Sequence, residues 1–126
     1  MGIDVRLKRA YEPAEPADGF RILIDRLWPR GVSRRLAKLD EWNRELAPST
    51  ELRRWFGHDP ERFAEFRRRY VEELRDQRSA LAELRARARR GPLTLVYGAK
   101  DSEHNDAVVL AEVLRRGLPG RVGGMR

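Results

Sequence analysis

The chain contains no cysteine, and that absence excludes disulfides, thiolate metal sites and thiol nucleophiles together. It also fits a reducing compartment, and a cytoplasmic location is expected. Long hydrophobic runs are missing too. No apolar stretch approaches the ~20 residues needed to cross a membrane, and the N-terminus lacks the apolar segment of a secretory signal. A soluble protein with no membrane partner is therefore expected. Lysine is scarce: only Lys8, Lys38 and Lys100 occur among 27 basic residues, leaving 24 arginines. Such a bias reads as a coding preference more readily than as a selected surface. The net charge of +7 still needs an account, and phosphate-bearing partners are one.

What is present suffices for one folded domain spanning residues 1–126. Of these residues, 40% are hydrophobic and 37% charged, enough for a core and a solvated exterior. A chain of this length buries roughly two-thirds of its unfolded surface. Ile3, Val5 and Leu7 alternate with Asp4, Arg6 and Lys8, the period of a half-exposed strand. After a Pro/Gly-punctuated loop, Phe20 to Asp25 reads as a second, central strand. Ser33 suits the cap of a short helix carrying Leu36, Leu39 and Trp42, and Ser49 the cap of another holding Leu52, Trp55 and Phe56.

Asp59-Pro60 is a cleaner helix start, with aspartate at the cap and proline in the first turn. Phe63, Phe66, Tyr70, Val71 and Leu74 then recur at helical spacing. The stripe shifts near Ser79, which predicts two helices or one kinked helix ending at Gly91-Pro92. Leu93 to Tyr97 reads as a third strand. Asp101 or Ser102 is expected to cap a last helix that stops at Gly117, with a loose tail over 118–126. This order predicts an α/β protein with a small, mostly parallel sheet flanked by helices.

Two strands break off into dense polar clusters. Ile22-Leu23-Ile24 runs into Asp25-Arg26-Leu27-Trp28-Pro29-Arg30-Gly31, and Leu95-Val96-Tyr97 into Gly98-Ala99-Lys100-Asp101, followed by His104-Asn105. Ligands of open α/β sheets collect outside the carboxyl ends of strands, so parallel pairing would bring both clusters to one place. Arg26 and Arg30 offer two guanidinium forks beside a rigid proline, suited to a carboxylate or phosphate. The same arginines also suit a buried pairing with Asp25 that fixes the loop, and the two roles are compatible. Lys100 adds a compact cation, Asn105 a group that can orient a guest, and Asp101 a helix cap. His104 is the candidate proton carrier if a reaction takes place, with Lys100 and Asp101 beside it.

Other signals have plainer readings. His58 precedes Asp59-Pro60 and is read as part of a helix start. Asp25, Asp101, His104 and Asp106 match no recognised metal-ligand spacing, so no metal is expected. Gly19, Gly31 and Gly98 suit turns and assemble no phosphate-loop or dinucleotide fingerprint, and no cofactor is expected. The arginines at 67–69 and at 85, 87, 89 and 90 are interleaved with glutamates, as on a solvated, salt-bridged face.

Taken in sequence, Gly19-Phe20-Arg21 through Trp28-Pro29-Arg30-Gly31, Glu45-Leu46-Ala47-Pro48-Ser49, Leu52-Arg53-Arg54-Trp55-Phe56 with His58-Asp59-Pro60, and Thr94-Leu95-Val96-Tyr97 with Lys100-Asp101 and His104-Asn105 strongly resemble the YeaO-like family. The resemblance covers nearly the whole chain. It implies a bacterial domain of unknown function with a compact α/β fold and a parallel sheet. Members sometimes carry the label of transcriptional regulator, but nothing here resembles a helix-turn-helix. Broader relatives carry a cysteine-containing motif after the last strand, and its absence here withholds any thiol chemistry. The expected function is a pocket for an anionic small molecule, a phosphorylated metabolite or nucleotide. Nucleic-acid binding through the arginine-rich helices is the alternative, and core packing accounts for every apolar stripe without a second copy of the chain.

Overall fold

All five residues of Leu93–Tyr97 are buried, and the fold is arranged around that strand. The computed structural model describes residues 2–120. Strands β1 (Val5–Arg9), β2 (Phe20–Leu23), β3 (Glu41–Trp42) and β4 (Leu93–Tyr97) form one sheet in the order β1-β4-β2-β3, with every neighbouring pair parallel. Leu93 lies opposite Val5 on one side and Phe20 on the other. The expected α/β class with a parallel sheet is the class observed.

Five helices accompany the sheet among the described residues: α1 (Arg34–Ala37), α2 (Thr50–Phe56), α3 (Phe63–Leu74), α4 (Arg78–Arg90) and α5 (Asp106–Arg116). Side chains alternate across a strand, and the two faces are covered differently. Ile22, Leu93 and Leu95 point into the main core with Phe66, Leu81 and Leu110 from the helices. On the opposite face Leu23 and Val96 meet Trp28, Val32, Leu39 and Trp42. Thr94 and Arg21 share that second face and are both bonded to Asp18, whose loop follows β1. The connections β1→β2 and β2→β3 thus run outward over one face, and the return to β4 runs over the other. A uniform crossover hand demands that arrangement. Gly19 is required where β2 begins. Its φ is +66°, and a Cβ there would lie 2.3 Å from the carbonyl oxygen of Pro92.

The segment after Ser33 departs from its helical spacing. Ser33 does cap α1 through Leu36 N–H, but the helix ends at Ala37, and Lys38 turns the chain at φ 47°. Trp42 lies in β3 opposite Leu23, and its Nε1 donates to the Asp25 carbonyl at 2.7 Å. Burying Trp42 and Leu39 on the sheet outweighs another helical turn, and Leu36 is left 59% exposed. Ser49 caps α2 through Leu52 N–H as expected. Asp59 starts a single 3-10 turn, Pro60–Arg62, that leads into α3. A second such turn, Arg75–Gln77, separates α3 from α4, so the shifted stripe marks two helices.

The cap of α5 is Asn105, whose Oδ1 accepts Val108 N–H at 3.0 Å, and neither Asp101 nor Ser102 takes that place. Asp101 is spent on the preceding turn, where its carboxylate accepts the N–H groups of Glu103 and His104. Of the expected tail, Leu118 packs on the main core and Pro119 accepts a bond from Arg75, while residues 121–126 lie outside the described residues. No helix among the described residues is long and apolar enough to cross a membrane.

Candidate functional site

Asp25 lies two residues past the end of β2 and joins the ends of two strands. Its Oδ2 accepts the N–H of Gly98, just beyond β4, at 2.7 Å. A Cβ at Gly98 would stand 3.1 Å from that oxygen, so a glycine lets the two segments approach. Arg26 is anchored through its Nε to the Pro48 carbonyl at 3.0 Å, and the Arg30 carbonyl accepts Tyr11 Oη at 2.8 Å. These contacts hold the Asp25-to-Gly31 loop open over a cavity of about 560 Å³, the size of a small-metabolite site.

Helix α2 supplies the next wall. Its cap, Ser49, is pinned by Glu73 of α3, which accepts the Ser49 N–H at 2.8 Å and its hydroxyl at 2.6 Å. That clamp fixes Arg53 and Phe56, which both face the cavity. The Arg53 Nε is buried and has no hydrogen-bond partner among the described residues. Gly57 and His58 follow with φ of 54° and 59°, two successive left-handed residues. They bring His58 into the lining with its ring tilted against Phe56 at 6.2 Å between centroids. A left-handed conformation at a residue other than glycine costs on the order of 1 kcal/mol.

Asp106, the first residue of α5, meets Asp25 in the same cavity. Two carboxyl groups in one desolvated site resist ionising together, and the proton is favoured at Asp106. Burial raises the Asp106 pKa well above the usual carboxylate range, and the neighbouring Asp25 charge adds to this. Burial raises Asp25 as well, opposed by its bonds to Asp106 and Gly98 and by the charges of His58 and Arg53. The cavity lining therefore carries four permanent cations, Arg26, Arg30, Arg53 and Lys100. Against them stand Asp101 and the Asp25 and Asp106 carboxyls, which resist ionising together.

Of the residues singled out from sequence, Asp25, Arg26, Arg30, Lys100, Asp101 and Asn105 all border this cavity. Asn105 is 2% exposed, and its amide is committed to the cap of α5 and to the Asp101 carbonyl. His104 is not among the lining residues. Its Nδ1 lies 2.9 Å from Asp101 Oδ2, and its ring stands edge-on to Phe63 at 5.1 Å. Backbone bonds from Glu103 and the His104 ring hold the Asp101 pKa below its ordinary value. Arg53, His58 and Asp106 were not expected in the site. Arg53 had one signal, its place three residues before Phe56 on the same helix face. Among the described residues, no cluster of three or more His, Cys, Asp or Glu is arranged to hold a metal ion.

A parallel sheet whose strand ends open onto a cavity rimmed with charged side chains defines an α/β domain with its candidate site at the carboxyl ends of the strands. The chain belongs to the family described as the inactive DUF488-N3 subclade, whose model matches residues 4–122. It is similar to the Escherichia coli (strain K12) protein named Uncharacterized protein YeaO, 46% identical over 113 residues, covering 90% of this chain and 98% of the other. Uncharacterized proteins of Mycobacterium bovis and Mycobacterium tuberculosis are also 46% identical over 110 residues, covering 87% of this chain and 92% of theirs. No solved structure matches the chain significantly.

Proposed function

We propose that this chain is a small-molecule-binding domain whose cavity at the ends of β2 and β4 takes an anionic metabolite, a phosphate monoester or mononucleotide. The observation that carries the reading is Arg53. Its Nε is buried in the wall of an open cavity with no acceptor among the described residues, beside Arg26, Arg30 and Lys100. Leaving a buried N–H unpaired costs about 1–3 kcal/mol, so an acceptor brought by a guest is the missing partner. Trp28, Phe56 and Phe66 add an apolar wall suited to the rest of such a molecule. The family description of an inactive subclade and the lack of cysteine favour binding without turnover. On this reading His104 braces the Asp101 loop and does not meet the guest.

Nucleic acid is less favoured as a partner. Arg67, Arg68, Arg69 and Arg75 are tied to glutamates, Arg85 to helix-end carbonyls, and Arg87 lies over Phe20. Arginines engaged in this way release few counterions on binding a phosphate backbone. Thermal melting against a panel of phosphate monoesters and mononucleotides tests the reading. A guest at a hundred times its dissociation constant adds about 2.7 kcal/mol. For 126 residues, at about 2.1 cal/mol/K each, that is a rise of ~10 °C. No rise with any member of the panel, together with salt-sensitive binding to RNA or DNA, would overturn the proposal.

A further inference from the structure

We infer that the guest is a nucleoside monophosphate whose base stacks on Tyr11 at the mouth of the cavity while its phosphate meets the arginines. The inference rests on the anion-binding reading above and narrows it to one class of guest. Three large hydrophobic side chains are exposed among the described residues, Tyr11 at 48%, Leu27 at 58% and Leu36 at 59%. Two of them, Tyr11 and Leu27, border the cavity. They reach it from different strands. Tyr11 follows β1 and Leu27 follows β2, and parallel pairing carries both strand ends to the edge where Lys100 follows β4. A phosphate alone fills little of a cavity of about 560 Å³ and leaves both apolar side chains in water.

Tyr11 is exposed and yet fixed. Its hydroxyl donates to the Arg30 carbonyl at 2.8 Å, which ties the loop after β1 to the loop after β2 across the end of β4. Arg9, which does not border the cavity, lies over the ring with its guanidinium 4.9 Å from the centroid. Arg9 is itself anchored, its Nε donating to the Ala99 carbonyl at 2.9 Å. One end and one face of the ring are thus held before any guest arrives, so binding costs it little freedom. The other Phe and Trp rings of the lining are already covered. Phe56 and Phe66 stack on each other at 4.2 Å and are at most 5% exposed, and Trp28 lies edge-on to Trp42 and under Arg34. Every base has a flat π-face, and stacking on a fixed ring is largely indifferent to which base it is. A cationic group in that seat is disfavoured by Arg9 behind the ring and by Arg30 and Lys100 beside it.

Titration calorimetry of the full chain with two probes tests this, adenosine monophosphate and ribose 5-phosphate, which differ by the base. The nucleotide should bind about tenfold more tightly, a gain within the range of one stacked base. Tyr11→Leu should abolish that preference while ribose 5-phosphate still binds, which also shows that the variant is folded. Tyr11→Phe keeps the ring and should keep most of the preference. Equal affinity of the wild-type chain for both probes would overturn the base seat and leave the anion site standing. Binding of neither probe would overturn both readings. A preference that survives in Tyr11→Leu would place the base elsewhere, and one lost equally in Tyr11→Phe would rest on the hydroxyl; either result overturns the inference.

Discussion

Replacing Asp106 with asparagine should stabilise the protein at neutral pH and leave it nearly unchanged in acid. Asp106 is half-buried in the cavity wall with Asp25, and desolvation and the neighbouring carboxylate both favour its protonated form in the folded state. An unfolded aspartate titrates at about 3.9. Above that pH the folded protein holds a proton that the unfolded chain has lost, so stability falls as pH rises. The loss proceeds at up to about 1.4 kcal/mol per pH unit and levels off once pH passes the folded-state value. Asparagine has the same shape and can donate to Asp25 without titrating. The difference between variant and wild type should therefore be near zero below pH 4 and grow by as much as ~5 °C in Tm per pH unit above it, given about 0.26 kcal/mol per degree for 126 residues. Melting curves of both proteins across pH 3.5 to 8 measure this. A difference that does not change with pH, or a variant less stable than wild type at pH 7, would refute a protonated Asp106 beside Asp25.

Arg53→Met should weaken ethyl phosphate binding about tenfold or more in calorimetry while leaving Tm unchanged or higher, because the lost Nε has no partner to strand. A fall in Tm would make Arg53 a structural residue. Tyr70→Phe strands the Leu46 carbonyl in a fully buried position and should cost about 1–2 kcal/mol, or ~4–8 °C in Tm. Gly19→Ala should lower Tm by more than ~8 °C, since it places a Cβ against the Pro92 carbonyl oxygen and strains a left-handed residue. Unchanged melting of that variant would mean that the start of β2 relaxes freely.

The parts of the fold that could be read in the sequence are those where burial and local pattern agree. Leu93–Tyr97 is buried throughout, and apolar except for Thr94, because β4 has a strand on each side and a packed layer on each face. The convergence of the Asp25 and Lys100 clusters follows from parallel pairing, which carries both strand ends to one edge of the sheet. The strand β3 was not legible. Trp42 keeps helical spacing from Leu39, and only the burial of both on the sheet decides between helix and strand. Arg53 resembles 23 other arginines, and what distinguishes it, an enclosed Nε, is a tertiary property. Asp106 sits where acidic residues commonly complement a helix dipole, and that ordinary role masks its place beside Asp25 in the cavity wall. His58 was placed at a helix start, and the successive left-handed residues that bring it to the cavity leave no mark beyond Gly57.

The central claim is that the cavity between the ends of β2 and β4 holds an anion. Amide NMR of the isotopically labelled protein, titrated with ethyl phosphate, tests it most directly. The account predicts saturable shifts at Arg26, Arg30, Arg53, Gly98 and Lys100, with the exposed arginine face of α3 and α4 unmoved. Shifts confined to that helical face, or none that saturate, would contradict it.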